Sequence, residues 1–302
     1  MSIVEKAVEK LKNLPTELAV PPPVETAPLH MASTVERFQE RTRVVDQPVE
    51  SAPLWHVEPA VLKRTGILPA DDAAGARLAD ELRLIKRTLL DNAIGKGAET
   101  PARGRRIMVA SAEAGEGKSF VAMNLALSLA RETDFEVLLV DGDIPKSDIT
   151  RILGLGEQPG LMDVLADEQR APAEVIVRTD VPNLLVVPAG KRHPLAAELF
   201  RSRRMEYVLD EFGGRDRRRL MVFDSSPLLA TSESQVLASH MGQVVMVVAA
   251  GRTHRQAVNS ALQSLDDFQY VGLVLNMSSL PARANYYSRP HGHYLRVLNG
   301  EA

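Results

Sequence analysis

The strongest chemical signal in the sequence is the run Ser111-Ala112-Glu113-Ala114-Gly115-Glu116-Gly117-Lys118-Ser119. It follows a short apolar stretch and precedes a helical pattern that opens at Phe120. Glycines at 115 and 117 let successive backbone N–H groups curl around a chain of phosphates. The helix N-terminus behind them adds partial positive charge. In such a loop Lys118 reaches the terminal phosphates and the Ser119 hydroxyl ligates Mg2+. Ala112 stands where loops of this kind usually carry their first glycine. A glycine-rich turn before an ordinary helix is the plainer alternative, and the strand–loop–helix context argues against it. The expected nucleotide contacts are Ala114, Gly115, Glu116, Gly117, Lys118, Ser119 and Phe120.

Two further apolar runs end in acids. One reads Val137-Leu138-Leu139-Val140-Asp141-Gly142-Asp143, the other Leu220-Met221-Val222-Phe223-Asp224-Ser225-Ser226-Pro227. Ligands of open α/β sheets gather at the carboxyl ends of the strands. Mg2+ takes hard oxygen ligands and keeps several waters, which one or two carboxylates can orient beside Ser119. A lone Asp after a strand is more often a turn residue or a cap. Two such strand ends together with a phosphate loop point to a metal site built from Ser119, Asp141, Asp143 and Asp224.

The elements that must hold these residues alternate along the chain. Strands are expected at 107–110, 137–140, 184–187, 220–223, 244–248 and 273–275, with helical patterns at 119–131, 195–212, 231–240 and 254–267. Continuous apolar strands are buried on both faces, so the sheet is expected to be mostly parallel and covered by helices. Ahead of it, residues 74–92 place Leu78, Leu82, Ile85 and Leu89 on one helical stripe. The expected fold is an α/β three-layer sandwich of the P-loop NTPase class, spanning residues 74–280.

The flanks differ in composition. Ile3, Val4, Ala7, Val8 and Leu11 recur at helical spacing, either as a docking helix or as a marginal helix on a loose tail. From Pro15 to about Ala70, prolines sit among Thr, Glu and Val without sustained periodicity. Residues 1–73 are therefore read as an amphipathic helix followed by a disordered, flexible linker. Residues 281–302 read as a mobile tail. The chain has 302 residues, no cysteine and a formal net charge of −3. Without cysteine there is no disulfide scaffold, no thiolate zinc site and no iron–sulfur cluster. The mildly acidic balance argues against a nucleic-acid-coating surface. The longest apolar run, 244–250, is too short to span a bilayer, and the N-terminus has no secretory pattern. A cytoplasmic location is expected.

The loop ending Gly-Glu-Gly-Lys-Ser, the Asp141-Gly142-Asp143 strand end and the Phe223-Asp224-Ser225-Ser226-Pro227 strand end together resemble the bacterial tyrosine kinases of polysaccharide export, relatives of the MinD and ParA ATPases. The resemblance runs from about Ala79 to Tyr294. It implies ATP and Mg2+ as ligands, with Lys118, Asp141, Asp143 and Asp224 catalytic, Asp224 as the Walker B acid and Asp141 as the acid that assists deprotonation of a tyrosine. The family's arginine two positions after the second Asp has no match: Pro145 stands there, followed by Lys146. Asp80, Arg83 and Lys86 match the family's oligomerisation pattern, although a solvated charged helix face fits them equally well. Tyr286, Tyr287 and Tyr294 are three of only five tyrosines in the chain, and the resemblance makes them phosphoacceptors for a neighbouring subunit. Asn276 would hydrogen-bond the adenine, with a strand-end turn residue as the alternative. The opening helix and Leu228-Leu229-Ala230-Thr231-Ser232-Glu233 are similar to the exosortase-associated tyrosine autokinases. The implied partners are further copies of the chain in a ring, a membrane chain-length-determinant (co-polymerase) activator that draws the protein to the inner membrane, and a tyrosine phosphatase.

Two other readings remain open on sequence grounds. A MinD/ParA-type switch would hydrolyse ATP without phosphorylating protein, but such ATPases carry a lysine where Glu113 stands. An ATP-gated assembly scaffold would need no catalysis at all.

Overall fold

The computed structural model describes residues 54–67, 73–96, 101, 103–214, 218–265 and 270–278. The described chain runs from α1 (Pro59–Arg64) and α2 (Ala73–Ala93) into β1 (Arg106–Ser111), α3 (Lys118–Ala130), β2 (Glu136–Gly142), α4 (Asp148–Ile152) and α5 (Leu161–Ala166). A 3-10 turn at Pro172–Val175 precedes β3 (Val177–Arg178) and β4 (Leu184–Val187), after which come α6 (Ala196–Arg201) and α7 (Arg203–Gly213). The last elements are β5 (Arg219–Ser225), α8 (Ser232–Ala238), β6 (Gln243–Ala249), α9 (Arg255–Gln263) and β7 (Val271–Asn276).

The strands form one seven-stranded sheet in the order β3-β4-β2-β5-β1-β6-β7. Every pairing is parallel except β3 against β4. The apolar runs are continuous because successive residues serve opposite faces. Met108 and Ala110 join one core cluster while Ile107 and Val109 join the other. One face is covered by Leu161, Phe200, Val208, Phe212 and Leu237 from α5 to α8. The other is covered by Leu89 of α2 and by Val121, Leu125 and Leu129 of α3. Burying a side chain such as Phe200 or Phe212 contributes roughly 1.5–3 kcal/mol. These two layers are what hold the strand ends flush. The fold is the three-layer P-loop sandwich expected from the sequence.

Two local differences have clear causes. Residues 54–67, which composition places in the linker, are anchored. Trp55 bridges Thr179 beside β3, its indole Nε1 donates to the Leu153 carbonyl at 2.9 Å, and Val57, Leu62 and Ile67 are buried. Such a short segment has no room for a repeating pattern, so only its spaced apolar residues mark it. The single helix expected over 195–212 is broken at Ser202, whose extended backbone (ψ 156) and side-chain oxygen cap α7 by accepting from the Met205 N–H at 3.2 Å. The Arg204 guanidinium, early in α7, donates to the carbonyls of Val164, Asp167 and Arg170. Tyr286, Tyr287, Tyr294 and the opening helix lie outside the described residues.

His240, just past α8, supplies a pH test of this packing. Its Nε2 donates to the Phe200 carbonyl at 2.7 Å, and its Nδ1 has no partner. Burial holds the imidazole below its ordinary value; the Phe200 carbonyl opposes this, while Arg103 and Arg106 add to it and Glu206 resists. The fold therefore retains the neutral ring. As pH falls below about 6.5 the unfolded chain binds a proton that the native state resists, and stability is lost. The advantage of wild type over His240→Gln in urea melts should be largest near pH 8 and shrink by about 1 kcal/mol toward pH 5.5. A difference constant across that range would refute the assignment.

Candidate nucleotide and metal site

The P-loop leaves the end of β1 at the middle of the sheet and turns into α3. Gly115 and Gly117 both take left-handed backbone conformations, at φ +84 and +91, which only glycine adopts freely. Ala112 is not among the residues with positive φ. Its methyl is fully buried in the core, so the loop needs no glycine there. Ser119 and Phe120 are half-buried. With Thr65, Ile67, Lys146 and Arg151 they line a cleft of about 260 Å3 beside the loop.

Behind the loop the structure brings Lys118, Asp141, Asp143 and Asp224 together, all nearly inaccessible to solvent. Asp141 and Asp224 are paired in register across β2 and β5, so both strands deliver a carboxylate to the same level. Lys118 Nζ donates to Asp143 Oδ2 at 2.5 Å, and the Ser226 hydroxyl donates to Asp143 Oδ1 at 2.9 Å. Asp141 Oδ2 accepts from the Thr150 N–H at 2.8 Å and the Thr150 hydroxyl at 2.7 Å, while its Oδ1 has no partner. Asp224 Oδ1 accepts from the Ser225 N–H at 3.1 Å, and its Oδ2 is likewise unpartnered.

The charges respond to burial. Burial pushes Asp224 up to about 7 against the lowering pull of Lys118. It pushes Asp141 up to about 6 against the two hydrogen bonds from Thr150. For Lys118, burial works to lower the value, but the Asp224 and Asp143 carboxylates outweigh it and the net direction is upward. Lys118 is a cation held by its neighbours, and the two free carboxylate oxygens await an electrophile.

Among the described residues no three or more His, Cys, Asp or Glu form a complete metal cage. Mg2+ is commonly held by one or two carboxylates, a hydroxyl, phosphate oxygens and water. The unpartnered buried oxygens of Asp141 and Asp224, with Ser119 at the loop end, fit that ion.

Other expected residues fall elsewhere. Asn276 does reach the loop, but its Nδ2 donates to the Glu116 carbonyl at 2.8 Å; its amide donor is used in anchoring the loop. Asp80 and Arg83 are exposed on α2 and paired with each other at 2.8 Å. Lys86 turns inward instead, onto Glu132 at 2.5 Å and the Ser128 carbonyl at 3.3 Å. It supports the contact between α2 and the end of α3. Thr150, Ser226 and Thr253 are contributors that the sequence did not flag. The Ser226 position, two residues beyond a strand-end Asp, was the one available hint.

A family model described as ParA, NUBPL iron-transfer P-loop NTPase, matches residues 103–287. The chain belongs to this P-loop NTPase family. Within it, the chain is homologous to the kinase domains of bacterial tyrosine kinases. It is 29% identical over 195 residues to tyrosine-protein kinase wzc of Salmonella typhi, covering 64% of this chain and 26% of that protein. It is 28% identical over 185 residues to tyrosine-protein kinase YwqD of Bacillus subtilis, covering 60% of this chain and 76% of that one. The kinase domain of Escherichia coli tyrosine kinase ETK superposes with a TM-score of 0.53 at 25% identity, over 61% of this chain and 72% of the domain. The matched region spans about a quarter of the length of several such relatives. With no cysteine, this chain has no thiolate for an iron–sulfur cluster.

The two loop glycines should respond differently to a methyl group. A Cβ on Gly117 would lie 2.1 Å from Asn276 Nδ2, whereas one on Gly115 meets nothing closer than Arg252 at 3.8 Å. Both substitutions carry left-handed strain of about 1–2 kcal/mol. Gly117→Ala must also displace Asn276 and should weaken binding of a fluorescent ATP analogue about tenfold more than Gly115→Ala. Equal losses in the two titrations would remove Asn276 from the loop's support.

Proposed function

We propose that the protein is an ATP-dependent protein-tyrosine kinase that phosphorylates tyrosines of a neighbouring copy, with Tyr286, Tyr287 and Tyr294 as acceptors. The observation that carries this is the buried cluster of Lys118 with Asp141, Asp143 and Asp224, with two carboxylate oxygens left free beside the phosphate loop. Phosphoryl transfer asks mainly for positioning and charge neutralisation. Bound Mg2+ would supply that neutralisation at the terminal phosphates of ATP.

The chain's own residues supply the rest. Backbone N–H groups of residues 114 to 119 cradle the phosphates, and Lys118 turns from Asp143 toward them. Ser119, Asp141, Asp143 and Asp224 organise the ion and its waters. The Asp141 carboxylate assists by receiving the proton of the attacking tyrosine as the tyrosine oxygen bonds the γ-phosphorus and the bond to ADP breaks. Asn276 stays at the base end of the loop, where its anchoring of Glu116 leaves its carboxamide oxygen for the adenine. Self-association through the exposed Asp80 and Arg83 would bring acceptor and donor copies together.

The tyrosine acceptor, the ring, a membrane co-polymerase activator, a phosphatase and a place in exopolysaccharide synthesis at the inner membrane all rest on likeness to the tyrosine kinases, as does the exosortase-associated subgroup. Among the described residues no helix is long and apolar enough to cross a membrane. The competing reading is a ParA-type ATPase switch, favoured by the family match. Phosphotyrosine decides between them.

Incubation with Mg-ATP, with and without an activator fragment, should place phosphate on Tyr286, Tyr287 or Tyr294 by mass spectrometry. Lys118→Met should reduce it by about a hundredfold or more, the scale of losing a charge that stabilises transfer. Undiminished phosphotyrosine in Lys118→Met, or in the triple Tyr→Phe variant, would overturn the assignment. Hydrolysis of ATP without phosphotyrosine would favour the switch. Asp224→Asn should separate stability from function. Removing a buried carboxylate should stabilise the nucleotide-free protein by on the order of 1 kcal/mol while cancelling the stabilisation given by Mg-ATP. A lower melting temperature without nucleotide would show that Asp224 is a structural charge.

A further inference from the structure

Within the phosphate loop sits a carboxylate that the chemistry above does not use. Glu116 is only 3% exposed, although its side chain belongs to a loop built to attract anions. Its Oε2 accepts from the Glu113 N–H at 2.7 Å, bracing the loop against itself. Its Oε1 accepts from the Thr253 hydroxyl, beyond the end of β6. Its backbone carbonyl accepts from Asn276 at the end of β7. The two remote partners are themselves fixed. Thr253 Oγ1 accepts from the Ala249 N–H at 3.1 Å, and the Asn276 carbonyl accepts from the Ala250 N–H at 2.8 Å.

We infer that the Glu116 side chain is a positioning residue that ties the phosphate loop, through Thr253, to the end of β6 and thereby sets nucleotide affinity. This rests on the reading of the loop as an ATP site. The loop has two glycines in left-handed conformations and three exposed residues, Glu113, Ala114 and Gly115; without ties it would sample many shapes, and ordering it would be charged against binding. Two hydrogen bonds accepted by one buried carboxylate remove that freedom beforehand. The tie is made by an anion, however, and its charge opposes the phosphates that the loop receives. Hydrogen bonding favours tight binding and charge favours release, so the two contributions separate under substitution.

Glutamine keeps the shape and two hydrogen-bonding atoms, one accepting from Glu113 N–H and one donating to Thr253, but carries no charge. Titration of the full chain with a fluorescent ATP analogue and Mg2+ should show Glu116→Gln binding as tightly as wild type or up to several-fold tighter. Glu116→Ala should bind about tenfold more weakly. Thr253→Val should reproduce that loss from outside the loop, Thr253→Ser should restore binding, and Glu116→Ala with Thr253→Val should be no worse than the weaker single variant. Hydrogen exchange without nucleotide supplies the readout of loop order: amides of residues 113–119 should exchange faster in Glu116→Ala and Thr253→Val, and at the wild-type rate in Glu116→Gln. If the alanine and valine variants bind and exchange like wild type, or if glutamine falls as far as alanine, the inference is overturned while the ATP site stands. A wild-type chain with no affinity for ATP would instead sink the ATP reading, and this inference with it.

Discussion

The structure depends on what happens when three carboxylates and one ammonium are buried at adjacent strand ends. Each buried ion costs several kcal/mol in desolvation, and only good pairing returns it. Lys118 pairs with Asp143, which leaves Asp141 and Asp224 without a countercharge of their own. The protein's answer is protonic: both carboxyls are driven up toward neutral pH, to about 6 and about 7. A site that retains protons on buried carboxyls near neutrality offers a divalent cation the place those protons occupy. The same imbalance that weakens the nucleotide-free fold would favour a bound divalent cation.

Such a cluster is tolerable only where the strands that carry it are held firmly in place. The register of β2 against β5 aligns Asp141 with Asp224, and the two apolar layers keep those strands buried along most of their length. Ties from each strand end to a neighbouring loop complete the frame. Thr150 joins Asp141 to the segment after β4, since its hydroxyl also accepts from the Ala189 N–H at 2.9 Å. Ser226 joins Asp143 to the end of β5, and Glu116 joins the phosphate loop to β6 and β7. Strands β4, β2, β5, β6 and β7 are thus connected to the site by short polar contacts, while β1 runs directly into the phosphate loop. Polar groups in so dry a setting specify one arrangement because any alternative leaves them unpaired.

What the sequence disclosed follows from this layout. The phosphate loop, the strand-end acids and the sheet are written in local patterns: glycines at fixed offsets, apolar runs, and acids where those runs stop. They were legible because each pattern is contained within about ten residues. The partners of the acids were not. Thr150 lies nine residues beyond Asp141 on a one-turn helix with no pattern of its own, and Thr253 meets Glu116 across 137 residues of sequence. A helix read as continuous over 195–212 broke at Ser202 because Ser can cap as well as continue a helix. Lys86 read as a surface charge because a long side chain gives no sign of which way its head turns.

The segment 54–67 shows most clearly how composition can mislead. Its lack of periodicity and the prolines of the stretch before it place it with the linker, yet it closes one side of the cleft. Thr65 and Ile67 line that cleft, and Gly66 lies close enough to Phe120 that a Cβ there would touch the ring at 3.5 Å. The segment is held at its far end by Trp55 on Leu153 and by the Val57 N–H on Asp180 Oδ1 at 3.0 Å. Leu153 immediately follows α4, the helix that carries Thr150. A wall of the cleft and the residue that orients Asp141 therefore share a support. The segment ahead of the sandwich is part of the site's scaffold, and anything that pulled it from β3 would loosen the cleft and the acid cluster together.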